Sequence, residues 1–348
     1  MLVANLVPQE LCSQLAVSEA STIFCWNMIN GGCFDNTIGI VQTTIPQPLH
    51  LTNTDSVNFV QTRFFKHKGL GRLLNNIVDS FRVVNRARRY QDIWYYNVEW
   101  TQILSFILLR MMGKRLYVIV ADFTPPKRYF SLASLVEYIF THSKGIISLS
   151  SRTTFRHPNQ TSIAGIISSE ILEERKKTPT PKKHLFLFSG GLEPIHGINL
   201  AIDAFKDVPE AELIITGKKL KRDVSEYKNI HFKGYLSREE YEKLFKEVTS
   251  CISFRDPSYP ENLNNFPSKI IEYMSYNKLI LSTIQYPELE GLDYEYVEFD
   301  VDAVKEHLQK IMEEPPLNYE QSAKLHDKFS IERWKETFLM IENNKYAK

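Results

Sequence analysis

The sequence predicts a two-domain α/β protein in which each domain is built around a parallel sheet. Its 348 residues are too many for one typical hydrophobic core. Strand-like apolar runs alternate with helical segments almost throughout, which favours parallel sheets with helices on both faces. Residues 173–183 (EERKKTPTPKK) interrupt this alternation with charge and two prolines. We therefore expect a linker there, a first domain over 1–172 and a second domain over 184–329.

Composition argues against several classes of protein. Hydrophobic content of 43% and charged content of 24% are those of an ordinary soluble protein. The net charge of +1 argues against a general nucleic-acid binder. Cys12, Cys25, Cys33 and Cys251 form no CxxC pair, which predicts free thiols in a reducing compartment. No basic segment followed by an apolar core opens the sequence, so we expect a cytoplasmic protein.

In the first domain, five apolar runs predict strands and two periodic segments predict helices. The strands are Ile38–Val41, Val57–Val60, Ile93–Tyr96, Leu116–Val120 and Ile146–Leu149, and the helices are Leu70–Val84 and Val98–Met111. The apolar stretch from Ile103 to Val120 contains three basic residues and a glycine, which is too interrupted for a membrane span. We interpret Ser21–Met28 as a further candidate strand, although no good helix follows it.

The second domain shows the same alternation. Its predicted strands are His184–Phe188, Glu212–Thr216, Ile230–Phe232, Ser250–Phe254 and Leu279–Thr283, with a helix over Gly197–Phe205 after the first. Ser237 and Glu240 have the spacing of a capping box and predict the start of another helix. Ligands of such sheets bind beyond the carboxyl ends of the strands, which here would be the cleft between the domains.

The segment Asn264–Met274 (NNFPSKIIEYM) predicts a loop that enters a helix at Pro267. The amides expected to be free at the helix start are those of Ser268, Lys269 and Ile270. Lys269 adds a cation where a bound phosphate would favour one, and Glu272 shares a helical face with Ser268. The pattern fits a nucleotide-diphosphate cradle with a carboxylate for the ribose, or an ordinary helix with exposed Lys and Glu.

A second candidate phosphate contact is the Gly190-Gly191 turn, which follows the strand His184–Phe188 and precedes a helix. Glycines at such a turn let a phosphate or sugar approach the backbone closely. The alternative is a turn without a ligand.

The order of these segments resembles the donor domain of retaining GT-B glycosyltransferases, above all the bacterial set called glycosyltransferase family 4. The segments are FSGGLEPIHGINLAIDAF, IITG, IHFKGYLSREEYEKLF and NNFPSKIIEYMSYNKLILST, and the resemblance covers residues from about 184 to 300. The closing FSIERWKETFLMI resembles the final helix of that family, which crosses back to the first domain. The resemblance implies a GT-B fold, with two Rossmann-like domains facing across a cleft and 330–348 joined to the first.

The resemblance also implies roles for single residues. Gly190 and Gly191 would lie near the donor phosphates, and Ser268 and Lys269 would contact the diphosphate. Glu272 would correspond to the second glutamate of the E-x7-E pair, which holds the ribose. Tyr235 would lie beside the base.

Four positions depart from the family pattern. Asn264 replaces the first glutamate of the pair. Gly191 and His196 stand where many members have an Arg and a Lys that clamp the diphosphate, and Ala121 stands where many have the His of a His-Asp pair. The lost cations weaken stabilisation of the leaving group, and Lys269, Lys218 or Arg255 would have to substitute for them.

Asp122 is the candidate catalytic carboxylate of the first domain. It follows the strand Leu116–Val120 and precedes Thr124-Pro125-Pro126, so it lies at the carboxyl end of a strand. There it would orient or deprotonate an acceptor hydroxyl; the alternative is a turn aspartate before the prolines. No HxxxH, HExxH or suitably placed DxD pattern occurs, so we expect no metal and no other cofactor.

The segment Arg63–Arg89 is basic and amphipathic. It holds eight Lys or Arg against one acid, Asp79. The apolar stripe consists of Leu70, Leu73, Leu74, Ile77, Val78, Phe81 and Val84, with Arg72, Arg82 and Arg86 on the opposite side at about 100° per residue. The segment predicts either a helix packed on the core with a solvated basic face, or a contact with an anionic membrane surface.

The resemblance implies a hexosyltransferase that moves a sugar, with retention, from a nucleotide diphosphate sugar to a glycan or lipid-linked acceptor. UDP is the favoured nucleotide, and the implied setting is bacterial capsule, O-antigen or exopolysaccharide synthesis at the inner face of the membrane. Two alternatives stay open: a non-catalytic GT-B subunit that stabilises a partner transferase, and a GT-B isomerase acting on a nucleotide sugar. The oligomeric state is not predicted.

Overall fold

The structure of the chain is a computed structural model. It describes residues 1–8, 11, 19–41, 51, 53–62, 64–65, 69–121, 123, 132–181 and 183–346. Contacts divide the chain into two compact units, unit 1 with Met1–Ile166 and Phe329–Lys348, and unit 2 with Ile167–Lys328. Among the described residues, no helix is both long enough and apolar enough to cross a membrane.

Unit 1 is built on a parallel sheet which, over the described residues, has seven strands in the order β3-β2-β1-β4-β5-β6-β7. The strands are β1 (Leu2–Asn5), β2 (Thr37–Ile40), β3 (Val57–Val60), β4 (Asp92–Tyr96), β5 (Arg115–Val120), β6 (Gly145–Ser148) and β7 (Gln160–Ser162). The helices are α1 (Glu19–Asn30), α2 (Leu70–Ala87), α3 (Ile103–Met111) and α4 (Leu132–Thr141). The inner strands β2 and β6 are buried throughout, as expected for a sheet covered on both faces.

Unit 2 contains a second parallel sheet, with six strands in the order β10-β9-β8-β11-β12-β13 within the part of the chain described. The strands are β8 (Phe186–Ser189), β9 (Leu213–Thr216), β10 (Ile230–Gly234), β11 (Ser250–Ser253), β12 (Leu279–Ser282) and β13 (Glu295–Tyr296). The helices are α5 (Ser169–Arg175), α6 (Ile198–Phe205), α7 (Arg238–Glu247), α8 (Pro260–Asn264), α9 (Lys269–Ser275), α10 (Val301–Glu313) and α11 (Ser322–Phe329). The fold class predicted from the sequence, two α/β units with parallel sheets, is confirmed.

Most predicted strands and helices are confirmed to within a few residues, and the capping box at Ser237 is present with both of its hydrogen bonds. The interpretation of Ser21–Met28 as a strand is wrong, because these residues lie within α1. The central strand β1 (Leu2–Asn5) was not predicted. Helix α1 has only a weak apolar stripe and packs mainly through Phe24, Cys25 and Met28, so a short apolar run in it resembles a buried strand.

The segment 173–183, expected as a linker, begins inside α5, and the division between the units falls upstream of it, between Ile166 and Ile167. The side chain of Ser168 caps α5 by accepting a hydrogen bond from the Ile171 amide. Arg175, in its last turn, lies over the ring of Tyr276 at 4.0 Å and donates to the Ser275 hydroxyl at 2.6 Å. The charged segment therefore starts as an ordered part of unit 2.

The last helix, α12 (Ile331–Glu342), belongs to unit 1. Ser330 caps it by accepting a hydrogen bond from the Arg333 amide. Its apolar stripe is buried, since Ile331, Trp334, Phe338 and Ile341 all lie in the same core cluster as residues of α1 and β1. Trp334 is fully buried and donates through Nε1 to the Gly165 carbonyl at 2.7 Å.

The core-packed interpretation of α2 predicts that its apolar stripe faces the core. In the structure it is mainly the opposite, polar side that is buried. Its buried residues are mostly polar, namely Asn75, Asn76, Asp79, Ser80, Val83 and Ala87. Arg82 and Arg86 donate to the carbonyls of Gln61 and Phe59, at 3.3 and 3.0 Å, so they line the edge strand β3 rather than a solvated face. The reason is that an edge strand offers unpaired carbonyls and the arginines satisfy them.

A buried lysine in unit 2 makes stability depend on pH. Lys278 precedes β12 and is 2% exposed, and burial lowers its pKa to about 8, slightly offset by the Cys251 thiol. Because the folded-state pKa lies below the unfolded value of 10.5, the lysine destabilises fully below about pH 8 and less as pH rises to 10.5. We expect Lys278→Met to raise the free energy of unfolding by about 2 kcal/mol at pH 7.

Urea unfolding followed by far-UV circular dichroism measures this gain, which should shrink towards zero between pH 8 and 10.5. Lys310→Met, at an exposed position on α10, is the matched control and should change stability by less than about 0.5 kcal/mol. A gain that stays constant across this pH range would attribute the effect to packing and not to the buried charge.

Candidate functional site

The topology of unit 2 places a crevice beyond the carboxyl ends of β8 and β11. These strands are neighbours and parallel, but the chain leads from β8 to β9 and β10 on one side before β11 begins the other side. Loops that leave two such strands diverge in opposite directions, and ligands of open α/β sheets bind at this switch point. Gly190 follows β8 and Arg255 follows β11, so both predicted contacts lie at this edge.

The loop after β8 is closely packed and needs its glycines. Gly190 has a φ of +129°, which side-chain-bearing residues rarely adopt, and its amide donates to the Thr216 carbonyl at 3.2 Å. A Cβ on Gly217, in the loop after β9, would lie 2.7 Å from the Gly190 carbonyl oxygen. The two loops therefore meet backbone to backbone.

Lys269, the first residue of α9, extends to this loop. Its Nζ donates to the Ser189 hydroxyl at 3.1 Å and lies 3.5 Å from where a Cβ on Gly190 would be. The same Nζ lies 5.7 Å from the centre of the Tyr241 ring. Tyr273, one turn further along α9, donates to the Ser189 carbonyl at 3.3 Å. The start of α9 thus contacts the glycine turn, and Lys269 is half-buried.

The start of α9 differs from the prediction in one respect. Ser268 already has helical backbone angles, and the first bonds are tight ones, from the Ile270 amide to the Pro267 carbonyl at 3.0 Å and from Ile271 to Ser268 at 3.2 Å. The expectation that the Ile270 amide is free for a ligand is therefore wrong. An anion at this place would rely on Lys269 more than on the helix start.

A second group of side chains surrounds the 3₁₀ turn Pro194–His196. The His196 ring fills the space beside Gly191, since a Cβ there would lie 2.4 Å from its Cδ2. Its Nε2 is 3.6 Å from the Glu193 carboxylate. Burial and then the positive charge of Arg255 lower the pKa of His196, while Glu193 acts in the opposite direction. The imidazole is thus mainly neutral at pH 7, and the two departures at 191 and 196 are sterically coupled.

Arg255 is fixed from both sides. Its amide donates to the Thr283 hydroxyl at 2.8 Å, and this hydroxyl donates to the Arg255 carbonyl at the same distance. Its guanidinium donates to the Asn262 side-chain oxygen at 3.4 Å. Asn262 is buried and donates in turn to the carbonyls of Ile195 and Asp256, both at 2.8 Å. This asparagine therefore ties the His196 turn to the loop that carries Arg255.

The other predicted residues take different positions. Glu272 is half-buried on α9, and its charge adds to burial in raising the pKa values of Tyr241 and Tyr273. Asn264 ends α8 and is half-buried, whereas Ser268 and Tyr235 are exposed. Lys218 is exposed after β9, and within the described residues no hydrogen bond or ion pair joins its side chain to either group.

Asp122, the carboxylate predicted for the first domain, lies outside the described residues, as do Arg63, Lys66 and Lys68 of the basic segment. Ala121, just before it, is half-buried at the end of β5. No group of three or more His, Cys, Asp or Glu side chains in the described part of the chain is placed to hold a metal ion. Metal independence stays a prediction.

Sequence reasoning missed Ser189, Tyr241, Tyr273 and Asn262. The helical spacing of Tyr241 after the Ser237 cap gives no sign that its ring lies beneath the Lys269 ammonium. Ser189 could have been found, because it ends a predicted strand directly before the glycine turn. Asn262 could not, since its role depends on two carbonyls that are distant in sequence.

Residues 170–328 match the family model described as "Glycosyl transferases group 1". Among curated proteins no sequence matches. Among solved structures, the sucrose-phosphate synthase (tll1590) from Thermosynechococcus elongatus is similar with a TM-score of 0.71 and 12% identity, covering 99% of each chain. An α,α-trehalose-phosphate synthase (UDP-forming) from Burkholderia xenovorans, in complex with glucose-6-phosphate, has a TM-score of 0.66 and 10% identity, covering 98% of this chain and 99% of that one.

A variant of S. aureus TarM, in complex with fondaparinux, alpha-GlcNAc-glycerol and UDP, is similar over 76% of this chain and 58% of that one, with a TM-score of 0.52 and 15% identity. At these identities the likeness is one of fold. The two Rossmann-like sheets are thus those of a GT-B fold, and the match to the group 1 glycosyltransferase model lies within unit 2.

Proposed function

We propose that the chain is a glycosyltransferase whose unit 2 binds a nucleotide diphosphate sugar, with UDP as the favoured nucleotide. The observation that carries the proposal is the contact of Lys269 with Ser189, beside the glycine loop at the switch point of the sheet. A half-buried cation next to a glycine loop suits a diphosphate, whose negative charge increases when the sugar departs. Two of the similar structures name UDP, one as a product and one as a ligand.

Within this proposal the residues take distinct roles. Lys269 neutralises the diphosphate, Arg255 contributes charge from the second group, and His196 contacts the donor as a neutral imidazole. Glu272 holds the ribose, Gly190 and Gly191 allow the phosphates to approach, and the role of the sugar acceptor's base falls to Asp122. Lys218, Tyr235, Asn264 and Ser268 contact the nucleotide or its sugar from the surrounding loops.

The acceptor is proposed to be a glycan or a lipid-linked sugar of a bacterial surface polysaccharide, with retention at the transferred carbon. These finer statements follow the resemblance of the sequence to family 4. The proposed enzyme is a cytoplasmic hexosyltransferase that works without a metal ion.

A second candidate function is favoured by the state of His196. Where many family members have a fixed cation, this chain has an imidazole whose pKa is lowered, and position 191 has no side chain. A site with less positive charge fits a non-catalytic subunit that stabilises a partner transferase.

A thermal-shift panel of UDP, GDP, CMP, dTDP and ADP tests the proposal. A ligand that binds only the folded state, present at ~100 times its Kd, adds ~2.7 kcal/mol, and we expect one diphosphate to produce this shift. The Lys269→Ala/Glu272→Ala variant removes the proposed cradle and should lose this thermal shift. An unchanged shift in that variant would reject the proposed cradle, and no shift with any nucleotide would favour the non-catalytic subunit.

A further inference from the structure

Helix α2 leaves three large residues of its apolar stripe exposed, while the other four are half-buried. Leu70 is 71% exposed, Phe81 57% and Leu73 49%, although all three lie on the stripe that an amphipathic helix normally buries. The opposite side is anchored by specific polar bonds. Thr62 donates to Asp79 through both its amide and its hydroxyl, and Asn75 exchanges two hydrogen bonds with the Phe65 backbone at 3.1 Å. Rotating α2 to bury the stripe would break all of these contacts.

The exposed surface continues onto α3. Ile107 and Met111 are four residues apart on its outer side, and Met111 is 78% exposed. Gln91 donates to the Gly113 carbonyl at 3.3 Å and so joins the C-terminal ends of the two helices. We call this surface the α2–α3 face, and its members are Leu70, Leu73, Phe81, Ile107, Met111 and Met112. A group of large exposed apolar side chains on one side of a unit indicates an interaction site.

The charges that border the α2–α3 face are positive. Arg88 and Arg89 follow α2, and Arg110 and Lys114 lie at the same end of α3. The acid in α2, Asp79, is buried against Thr62, and α3 contains no acid. At this end Asp92 is engaged by Arg115 and by the Tyr117 hydroxyl. The surface thus combines large apolar side chains with a group of cations that form no ion pair with an acid in the described part of the chain.

We propose that the α2–α3 face is a docking surface for an anionic lipid bilayer, with its apolar residues in the headgroup boundary and its arginines on the lipid phosphates. Apolar insertion and attraction of Lys and Arg to anionic lipid are the two contributions that hold a surface-bound helix. A second copy of this chain fits less well, because its face would bring the same positive charges against these. The proposal depends on unit 1 alone and is independent of any donor chemistry in unit 2.

Sedimentation of the full chain with vesicles tests the proposal. We expect binding to phosphatidylcholine vesicles that contain about one-third phosphatidylglycerol, and at least tenfold weaker binding to phosphatidylcholine alone. Leu70→Gln/Phe81→Gln removes apolar surface without changing charge or leaving a cavity, and should weaken binding at least about tenfold. Arg88→Gln/Arg89→Gln should weaken it roughly fivefold per charge and reduce its dependence on salt.

Matched controls lie elsewhere on the molecule. Leu317 and Leu339 are 50% and 59% exposed and lie outside the α2–α3 face, so Leu317→Gln/Leu339→Gln should bind vesicles like the wild type. Thermal unfolding of each variant verifies that the fold is kept. The proposal is overturned if the wild type binds neither vesicle, if the control pair loses as much binding as Leu70→Gln/Phe81→Gln, or if that pair instead dissolves a dimer of the chain.

Discussion

Lys269→Ala is expected to lower kcat/KM for sugar transfer by about 100-fold or more. The ammonium is already directed at the loop after β8 by its bond to the Ser189 hydroxyl, so little reorganisation is needed when a diphosphate arrives. Removing one positioned donor from a site where charge develops typically costs about 10²–10³ in rate. The loss should be large here because His196, the neighbouring candidate cation, has a lowered pKa and cannot replace the charge at neutral pH.

Steady-state transfer with the nucleotide sugar chosen from the binding panel measures this loss. Lys269→Arg keeps the positive charge but replaces the compact ammonium with a planar guanidinium, so part of the activity should remain. Lys246→Ala, at an exposed position on α7, is the matched control and should leave kcat/KM unchanged. A Lys269→Ala enzyme with less than about tenfold loss would show that another cation neutralises the leaving group.

Trp334→Ala is expected to reduce the stability of unit 1 by about 3–5 kcal/mol. The indole is fully buried, lies 5.4 Å from the Phe24 ring and 5.5 Å from the Phe338 ring, and donates to the Gly165 carbonyl. The substitution creates a cavity where α12 meets α1 and leaves a buried carbonyl without its donor. Both effects act on unit 1, although residue 334 follows unit 2 in the sequence.

Tryptophan fluorescence isolates this effect, because all four tryptophans, Trp26, Trp94, Trp100 and Trp334, lie in unit 1. The urea midpoint followed by the three remaining indoles should fall, while the circular dichroism transition of unit 2 should stay in place. Leu339→Ala, 59% exposed on the same helix, is the control and should cost less than about 0.5 kcal/mol. A loss below about 1 kcal/mol for Trp334→Ala would mean that α12 contributes little to unit 1.

Five strands of unit 2 and its helices α6, α7 and α9 could be predicted from sequence because each is encoded locally. The strands of unit 2 are short apolar runs, and α7 carries its own capping box at Ser237 and Glu240. In unit 1 two features could not be predicted in this way. Helix α1 has little amphipathic character, and α2 has a strong apolar stripe on the side away from the core. The orientation of α2 is decided by the carbonyls of β3, which periodicity does not include.

The parts of the candidate site that could be predicted are those in which the role of a residue follows from its neighbours in sequence. The glycine turn and Lys269 were predicted separately, and their contact follows from the switch point between β8 and β11. The coupling of Gly191 with His196, and the buried Asn262 that supports Arg255, depend on distances between loops. Asp122 lies outside the described residues, so its role stays a prediction.

Unit 1 is assembled from two separate segments, Met1–Ile166 and Phe329–Lys348, and this affects how the protein folds during its synthesis on the ribosome. Unit 2 is one continuous segment and can fold as soon as it has emerged. Unit 1 must wait for Trp334 and its neighbours, which are made only after the whole of unit 2, on the order of ten seconds later or more at roughly 5–20 residues per second. Through that interval the nascent sheet lacks its last helix, so chaperones should recognise the early half of the chain, and synonymous codons that slow translation of unit 2 should prolong that recognition.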